Sequence, residues 1–315
     1  MKRGLISWDH GELPPADLDA RLRVLHARMA EHDVPVAVVY TDVWRSNDVR
    51  YLSNFMPYWN RAFAVVPRGE KPILLCSLSP RVYPWIRSVT THETILPSPS
   101  LPVQLVKLCG ERGWSSVGIV DLMGLPNDLY TQLRAQPLAI VDLPRSTLRS
   151  AATATEVAMH RRAAQLARAA LKDGLTRNSG SLTDFQLAGQ LERRMRRAGA
   201  EDVVLLVSDG TTVPLPPRGV RVTEHSSVCV SVEYNGHWAK LARNLAGVVS
   251  PLAVAASDTV HLETLSGAGG WAGYRDHEIA TGSVVALQVE IEQGGRRLYF
   301  GETGLTRPGG DLEIL

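Results

Sequence analysis

Val228-Cys-Val-Ser-Val-Glu-Tyr-Asn-Gly-His-Trp-Ala-Lys-Leu-Ala-Arg-Asn244 reads as two strands that meet at the turn glycine Gly236. Cys229 sits on the apolar first strand, His237 directly follows the turn, and Lys240 and Arg243 lie on the return strand. The stretch decides the fold because strands and turns dominate from Gly199 to the C-terminus, and it is the most patterned of them.

Upstream of it the pattern is helical. Thr155 to Leu171 is Ala-rich and amphipathic, and Ser181-Leu-Thr-Asp opens a further helix with capping-type residues. Helices followed by strands predict an α+β domain over residues 147–315. Residues 1–146 alternate instead. Asp17 to His32 predicts a helix entered after Pro14-Pro15, Val34 to Tyr40 a buried strand, and Val65-Val66 and Ile73 to Leu75 further strands. Leu101 to Arg112 predicts a helix, Val117 to Asp121 a strand, and Leu122 to Leu133 includes a short helix. That alternation predicts an α/β domain with a parallel or mixed sheet, ending near Pro144 to Ser150.

The 315 residues suffice for two cores, and 34 basic against 32 acidic side chains leave a formal net charge of +2. Interspersed charge of this kind gives no basic patch for nucleic acid or an anionic membrane. No run approaches the roughly 18 apolar residues of a membrane span, so a cytoplasmic protein is expected. Cys76, Cys109 and Cys229 are widely spaced and form neither a disulfide framework nor a Cys-x-x-Cys metal site. Gly-rich Ser266-Gly-Ala-Gly-Gly270 lacks the lysine and strand-to-helix context of a phosphate loop.

The hairpin resembles the strand pair of the creatinase, aminopeptidase P and prolidase family, where two aspartates eleven residues apart flank the turn and an Arg follows. Asn47-Asp-Val-Arg-Tyr-Leu-Ser-Asn-Phe55, Leu148 to Leu166 and Gly282 to Glu290 resemble other segments of the family in the same order. The resemblance implies a creatinase-like α/β N-terminal domain and an α+β "pita-bread" C-terminal domain, commonly a homodimer. Between Asn244 and Gly267 the family inserts two helices where this chain offers one short element, so the second half is expected to be shortened, with a partner subunit covering the sheet face left bare.

The metallopeptidase members hold two metals through two Asp, one His and two Glu. Aligned on Gly236 and Arg243, the two aspartate places carry Cys229 and Lys240, the histidine place carries Ala268, and Glu290 and Glu302 keep the glutamates. Protonated lysine repels a divalent cation, and two carboxylates make a poor site, so the expectation is a protein without metal or other cofactor. Creatinase also works without metal. Trp59-Asn-Arg61 resembles the aromatic and Arg pair with which its N-terminal domain grips a substrate carboxylate in the neighbouring subunit, Trp238 falls at a substrate-facing Tyr, Glu290 at a substrate-binding Glu, and Arg275 at a second carboxylate-binding Arg. Its acid/base His has Pro214 or Leu215 in its place, and its Glu before the Arg has Ala242.

Lys240 is the pivotal candidate. With Glu290 and Glu302 at the family positions its ammonium bridges both. It then either neutralises two buried acids or acts on substrate, by polarising a carbonyl, transferring a proton or forming a Schiff base. His237 is a candidate base or a half-exposed strand residue; Cys229 a buried side chain or a nucleophile; Asp209-Gly-Thr-Thr212 a source of hydroxyls or a turn; Trp59 and Arg61 a binding pair or a domain contact. Two functions follow. One is a metal-independent enzyme on a small amino-acid-like or carboxylate-bearing substrate, catalysing C–N hydrolysis, elimination, isomerisation or cyclisation. The other is a non-catalytic pseudopeptidase that binds a peptide or protein.

Overall fold

The hairpin turn is set by backbone geometry at Asn235 and Gly236, with φ of 50° and 80°. Two successive positive φ values match the right-handed twist of the flanking strands, and Asn-Gly tolerates them. A computed structural model describes residues 7–149, 151–176, 182–245, 259–266 and 279–315. The chain separates into two compact units, the second beginning at Ala151. The division falls at the end of the Pro144 to Ser150 stretch, four residues past residue 146: Leu148 is buried in the first core and Arg149 pairs with Asp48 at 2.9 Å, which holds these residues to the first unit.

In the first unit, α1 (Pro15–Glu31), α2 (Asn47–Ser53), α3 (Tyr83–Val89), α4 (Leu101–Arg112) and α5 (Asn127–Arg134) accompany six strands. These are β1 (Val36–Asp42), β2 (Arg61–Pro67), β3 (Ile73–Cys76), β4 (Thr94–Pro97), β5 (Ser116–Val120) and β6 (Ala139–Leu143), ordered β4-β3-β2-β1-β5-β6. The sheet is mixed: β1 pairs antiparallel with β2 and parallel with β5. Both faces are covered. Along β1, Ala37 and Val39 join one core while Val36, Val38 and Tyr40 join the other, the period-two alternation of a central strand. Strands β4 and β6 left little trace in the sequence because β4 is short and much of β6 is not buried.

The second unit packs α6 (Ala154–Thr176) and α7 (Asp184–Arg197) on one antiparallel sheet of β7 (Asp202–Ser208), β8 (Ser227–Tyr234), β9 (His237–Asn244), β10 (Thr259–Ser266), β11 (Val284–Gln293) and β12 (Arg296–Thr306). Their order is β10-β11-β12-β9-β8-β7, with β13 (Leu312–Ile314) beside β12. Helix α7 opens on a complete capping box between Thr183 and Gln186, satisfying backbone N–H groups at both ends of the pair. Val228, Val230, Val232, Ala239 and Leu241 face α6 and α7, where Ala163, Ala164 and Ala167 let the helix approach closely. Each buried Val or Leu contributes roughly 1.5–3 kcal/mol through removal from water. After Asn244 the described residues give β10, and residues 246–258, over which a single short element is expected, lie outside the described segments. Among the described residues no helix is long and apolar enough to cross a membrane.

Candidate functional site

Strand parity gives the sheet two faces. With Val228, Val230 and Val232 turned to the helices, Cys229 and Ser231 turn away from them, and the hairpin register sets Lys240 opposite Ser231 and Ala242 opposite Cys229. Continuing across the sheet, Leu206, Cys229, Ala242, Gly301, Gln288 and His261 occupy one row. A cavity of about 540 Å³ opens on this face. Lys240, Glu263, Gln288, Glu290 and His261 supply its polar lining, and Leu206, Val213, Pro214, Leu262 and Val289 most of its apolar lining.

Lys240 is held at both ends. Its backbone N–H donates to Thr303 Oγ1 at 2.8 Å, and the same hydroxyl donates to the Lys240 carbonyl at 2.9 Å. Its Nζ lies 2.5 Å from Glu263 Oε2, with both side chains about three-quarters buried (24% and 28% exposed). The partner is therefore a β10 residue, not the Glu290 and Glu302 pair expected from the sequence. Alternation explains the difference for Glu302. Gly301 faces the cavity side opposite Ala242, so Glu302 faces α6, where Arg168 holds it at 2.6 Å and Arg243, stacked over Phe300, pairs with its other oxygen.

Glu290 does line the cavity, opposite Tyr299 in register and 3.6 Å from the Arg297 guanidinium. Burial first, and then the Glu290 charge, push the Tyr299 phenol up to about 12. Its hydroxyl is close enough to feel both neighbours but makes no hydrogen bond of proper geometry with either. Cys229 also lines the cavity, yet burial pushes its thiol up to about 12. Burial of this kind favours the protonated thiol, which fits the reading of Cys229 as a buried side chain better than the nucleophile reading.

His237 shares parity with Ala239 and Leu241, not with Lys240. Its ring meets the α6 residue His160 edge-on at 5.0 Å, and its Nδ1 lies 2.9 Å from the Asn235 carbonyl. As a candidate base His237 therefore stands on the other face of the sheet from Lys240. Trp238 has cavity-side parity but does not line the cavity. Pro214, one of the two places where the resemblance sets an acid/base histidine, supplies apolar wall together with Val213. Asp209 accepts from the Thr211 and Thr212 backbones and hydroxyls, closing a turn on itself. Arg275 and Ala268 lie outside the described residues.

Trp59 and Arg61 belong to the first unit. Trp59 is 69% exposed, and Arg61 makes a two-oxygen pair with Asp128 at 2.8 and 3.0 Å, which holds the Asp128 carboxyl below its usual range. Sequence reading missed Glu263 and Gln288. Alternation along Thr259-Val-His-Leu-Glu263 aligns His261 with Glu263, and parity with Glu290 puts Gln288 on the same face, so the signal was present.

Two metals held by the family's ligands do not fit the described residues. The row through Cys229 offers a buried thiol, Ala242, Gly301, an amide and a single imidazole, His261, where several acidic donors are needed, and the Glu263 carboxylate is already paired with an ammonium. Among the described residues no group of three or more His, Cys, Asp or Glu side chains could hold a metal ion.

No protein-family model matches the chain, and no curated protein matches it. Solved structures do. An Xaa-Pro dipeptidase from Bacillus anthracis superposes with a TM-score of 0.73 at 14% identity, over 94% of this chain and 97% of that one. A prolidase from Pyrococcus furiosus gives 0.71 at 12%, over 93% and 98%. An X-Pro aminopeptidase from Thermotoga maritima MSB8 gives 0.74 at 11%, over 93% and 96%.

Proposed function

We propose, from the pita-bread fold that this chain shares with those prolidase and aminopeptidase P structures, that it is a metal-independent enzyme acting on a small amino-acid-like or carboxylate-bearing molecule. The observation that carries the reading is the Lys240–Glu263 pair, which lines the cavity from a position where the resemblance sets a metal ligand. An ammonium hydrogen-bonded to a carboxylate supplies a cation for a substrate carboxylate or carbonyl and a donor–acceptor couple for moving a proton. Glu290, farther along the same face, offers an acceptor for a substrate amine, and the apolar wall excludes water from the body of the ligand. Peptidase chemistry of the kind the neighbours' names describe relies on donors that this row lacks; proton transfer, elimination or C–N cleavage without a metal-bound water suits the residues present.

The test has two parts. Elemental analysis of protein purified without chelator should find no stoichiometric divalent metal, and calorimetry against amino acids and oxo acids should find a binder whose affinity falls at least tenfold in Lys240→Met. Stoichiometric zinc, manganese or cobalt would sink the metal-free reading, and unchanged affinity in the variant would sink the role of the pair. A homodimer is part of the proposal; a light-scattering mass equal to one chain would remove it.

One observation favours the pseudopeptidase instead. Glu263 already pairs with Lys240, and Arg297 stands beside Glu290, so the cavity's carboxylates have internal partners. A protein that binds peptides without turning over any of them would be this second case.

A further inference from the structure

Cationic side chains in this molecule are chosen unevenly. The sequence holds 29 arginines and five lysines, at positions 2, 71, 107, 172 and 240. Where the second unit needs only to neutralise a buried carboxylate it uses arginine: Arg168 of α6 and Arg243 of β9 on Glu302. Guanidinium suits that task, since its planar fork matches a carboxylate and it does not give up its proton. Glu263, on the cavity side of the same sheet, is met by a lysine. Lysine is the weaker choice for a fixed ion pair and the only one of the two that can present a neutral amine as a nucleophile.

The surroundings of Lys240 fit that second use. Its main chain is clamped by Thr303 on both its N–H and its carbonyl, so the root of the side chain does not wander. Ala286, Ala242 and Gly301, all small, lie around it on the sheet floor, and the adjoining wall is Leu206, Val213, Pro214 and Val289. Lys240 thus lines a cavity with space and apolar surface, and one carboxylate oxygen is in place to take its proton. Lys71, by contrast, is 62% exposed and pairs with Glu93, and Lys107 is 64% exposed.

We infer that Lys240 is a covalent lysine, and that the cavity takes a small ketone or aldehyde with an apolar body, captured as an imine on Nζ. This rests on the enzyme reading above and narrows its substrate to a carbonyl compound. The step balances with what the site holds. Glu263 takes a proton from the ammonium along the 2.5 Å hydrogen bond. The Nζ lone pair attacks the carbonyl carbon; a C–N bond forms and the carbonyl π pair moves to oxygen, which takes the proton that nitrogen releases. Glu263 returns its proton to that hydroxyl, the C–O bond breaks, water leaves, and the nitrogen lone pair closes the protonated imine. The sum is ammonium plus carbonyl to iminium plus water, with Glu263 restored and no oxidant or metal consumed.

Reductive trapping tests it. The full chain is incubated with ketoisocaproate, whose branched chain suits the apolar wall, borohydride is added, and the peptides are mapped by mass spectrometry. The expected result is the reduced adduct on Lys240 at least tenfold above Lys71, Lys107 and Lys172, absent in Lys240→Arg, and formed at least tenfold more slowly in Glu263→Gln. Circular dichroism melts of both variants establish that they fold. Adduct spread over the exposed lysines with Lys240 unmodified overturns the inference. Hydroxyisocaproate, the alcohol that cannot form an imine, separates the two readings in calorimetry. Binding of the alcohol without any Lys240 adduct from the ketone leaves the cavity a ligand site and refutes the imine, whereas no binding of either refutes the imine and the small-acid reading together.

Discussion

Lys240 and Glu302, close in space across two paired strands, point to opposite faces of one sheet. Glu302 is directed at α6, where two guanidinium groups hold it, while Lys240 is directed into the cavity, where it finds Glu263. A role for Glu302 is therefore structural: it ties the helix α6 to β9 and β12.

Glu302→Gln tests that assignment. The side chain is 8% exposed, so the substitution leaves two partly buried guanidinium groups without their counter-charge. Breaking a buried pair from one side costs about 3–5 kcal/mol, and the partial exposure of both arginines points to the lower end, about 3 kcal/mol. Urea denaturation should show this loss, with ligand affinity of the remaining folded protein unchanged. A stability change below about 0.5 kcal/mol would place the carboxylate elsewhere.

The fold was legible because its signals are local. Asn235-Gly236 fixes a hairpin, apolar alternation fixes which face of β8 and β9 is buried, and Thr183 with Gln186 announces α7. The site was legible only in part. The family resemblance put Glu302 beside Lys240, but a one-residue difference in a strand reverses the side chain, and Gly301 holds the cavity-side position. Alternation along β10 sets Glu263 on one face with His261, but that β10 lies beside β11, which brings this face to the cavity, is a matter of long-range pairing that no local pattern encodes.

Acid should weaken the first unit through His92. That imidazole is fully buried, its Nδ1 lies 3.2 Å from the Pro72 carbonyl, and burial drives its value down from 6.5 to about 4. The folded value lies below the unfolded one, so the unfolded chain binds the proton first. The stabilisation is complete above about 6.5 and is lost as pH falls through 4, up to about 3 kcal/mol. Urea midpoints between pH 7 and 4 should fall, and His92→Gln should flatten the decline. An equal slope in the variant would assign the effect to other groups; His26, also lowered by burial, is the first to examine.

Alkali should act through the thiols. Burial raises Cys229 to about 12 and Cys109 to about 11 from an ordinary 9, and raises Cys76 as well. For an acid whose folded value is raised, the unfolded chain loses its proton first, so the contribution is whole below about 9 and shrinks as pH climbs toward 11 and 12. Each thiol adds up to about 1.4 kcal/mol of loss per pH unit in that window. Denaturation midpoints at pH 8 and 10 measure it, and the native protein at pH 8 should resist iodoacetamide at all three positions. Rapid alkylation of Cys229 in the folded state would mean a thiolate, and would reopen the nucleophile reading.

Gly301 explains why the cavity row carries no acid on β12. A Cβ built there meets the Ala242 backbone nitrogen at 3.0 Å, the Ala242 Cβ at 3.2 Å and the Leu287 carbonyl oxygen at 3.2 Å. Two of the three are main-chain atoms of the flanking strands, so relief requires β9 and β11 to move and not merely a side chain to rotate. Gly301→Ala should then cost about 1–3 kcal/mol, the range for inserting a methyl group into a packed site. Gly301→Glu should cost at least as much and recruit no metal, because Cys229 and Lys240 still flank the site with a protonated thiol and an ammonium. Denaturation curves and elemental analysis of the two variants decide it. A neutral Gly301→Ala would mean that β9 and β12 can separate freely at Ala242, in which case the floor of the cavity is looser than its single paired position there implies.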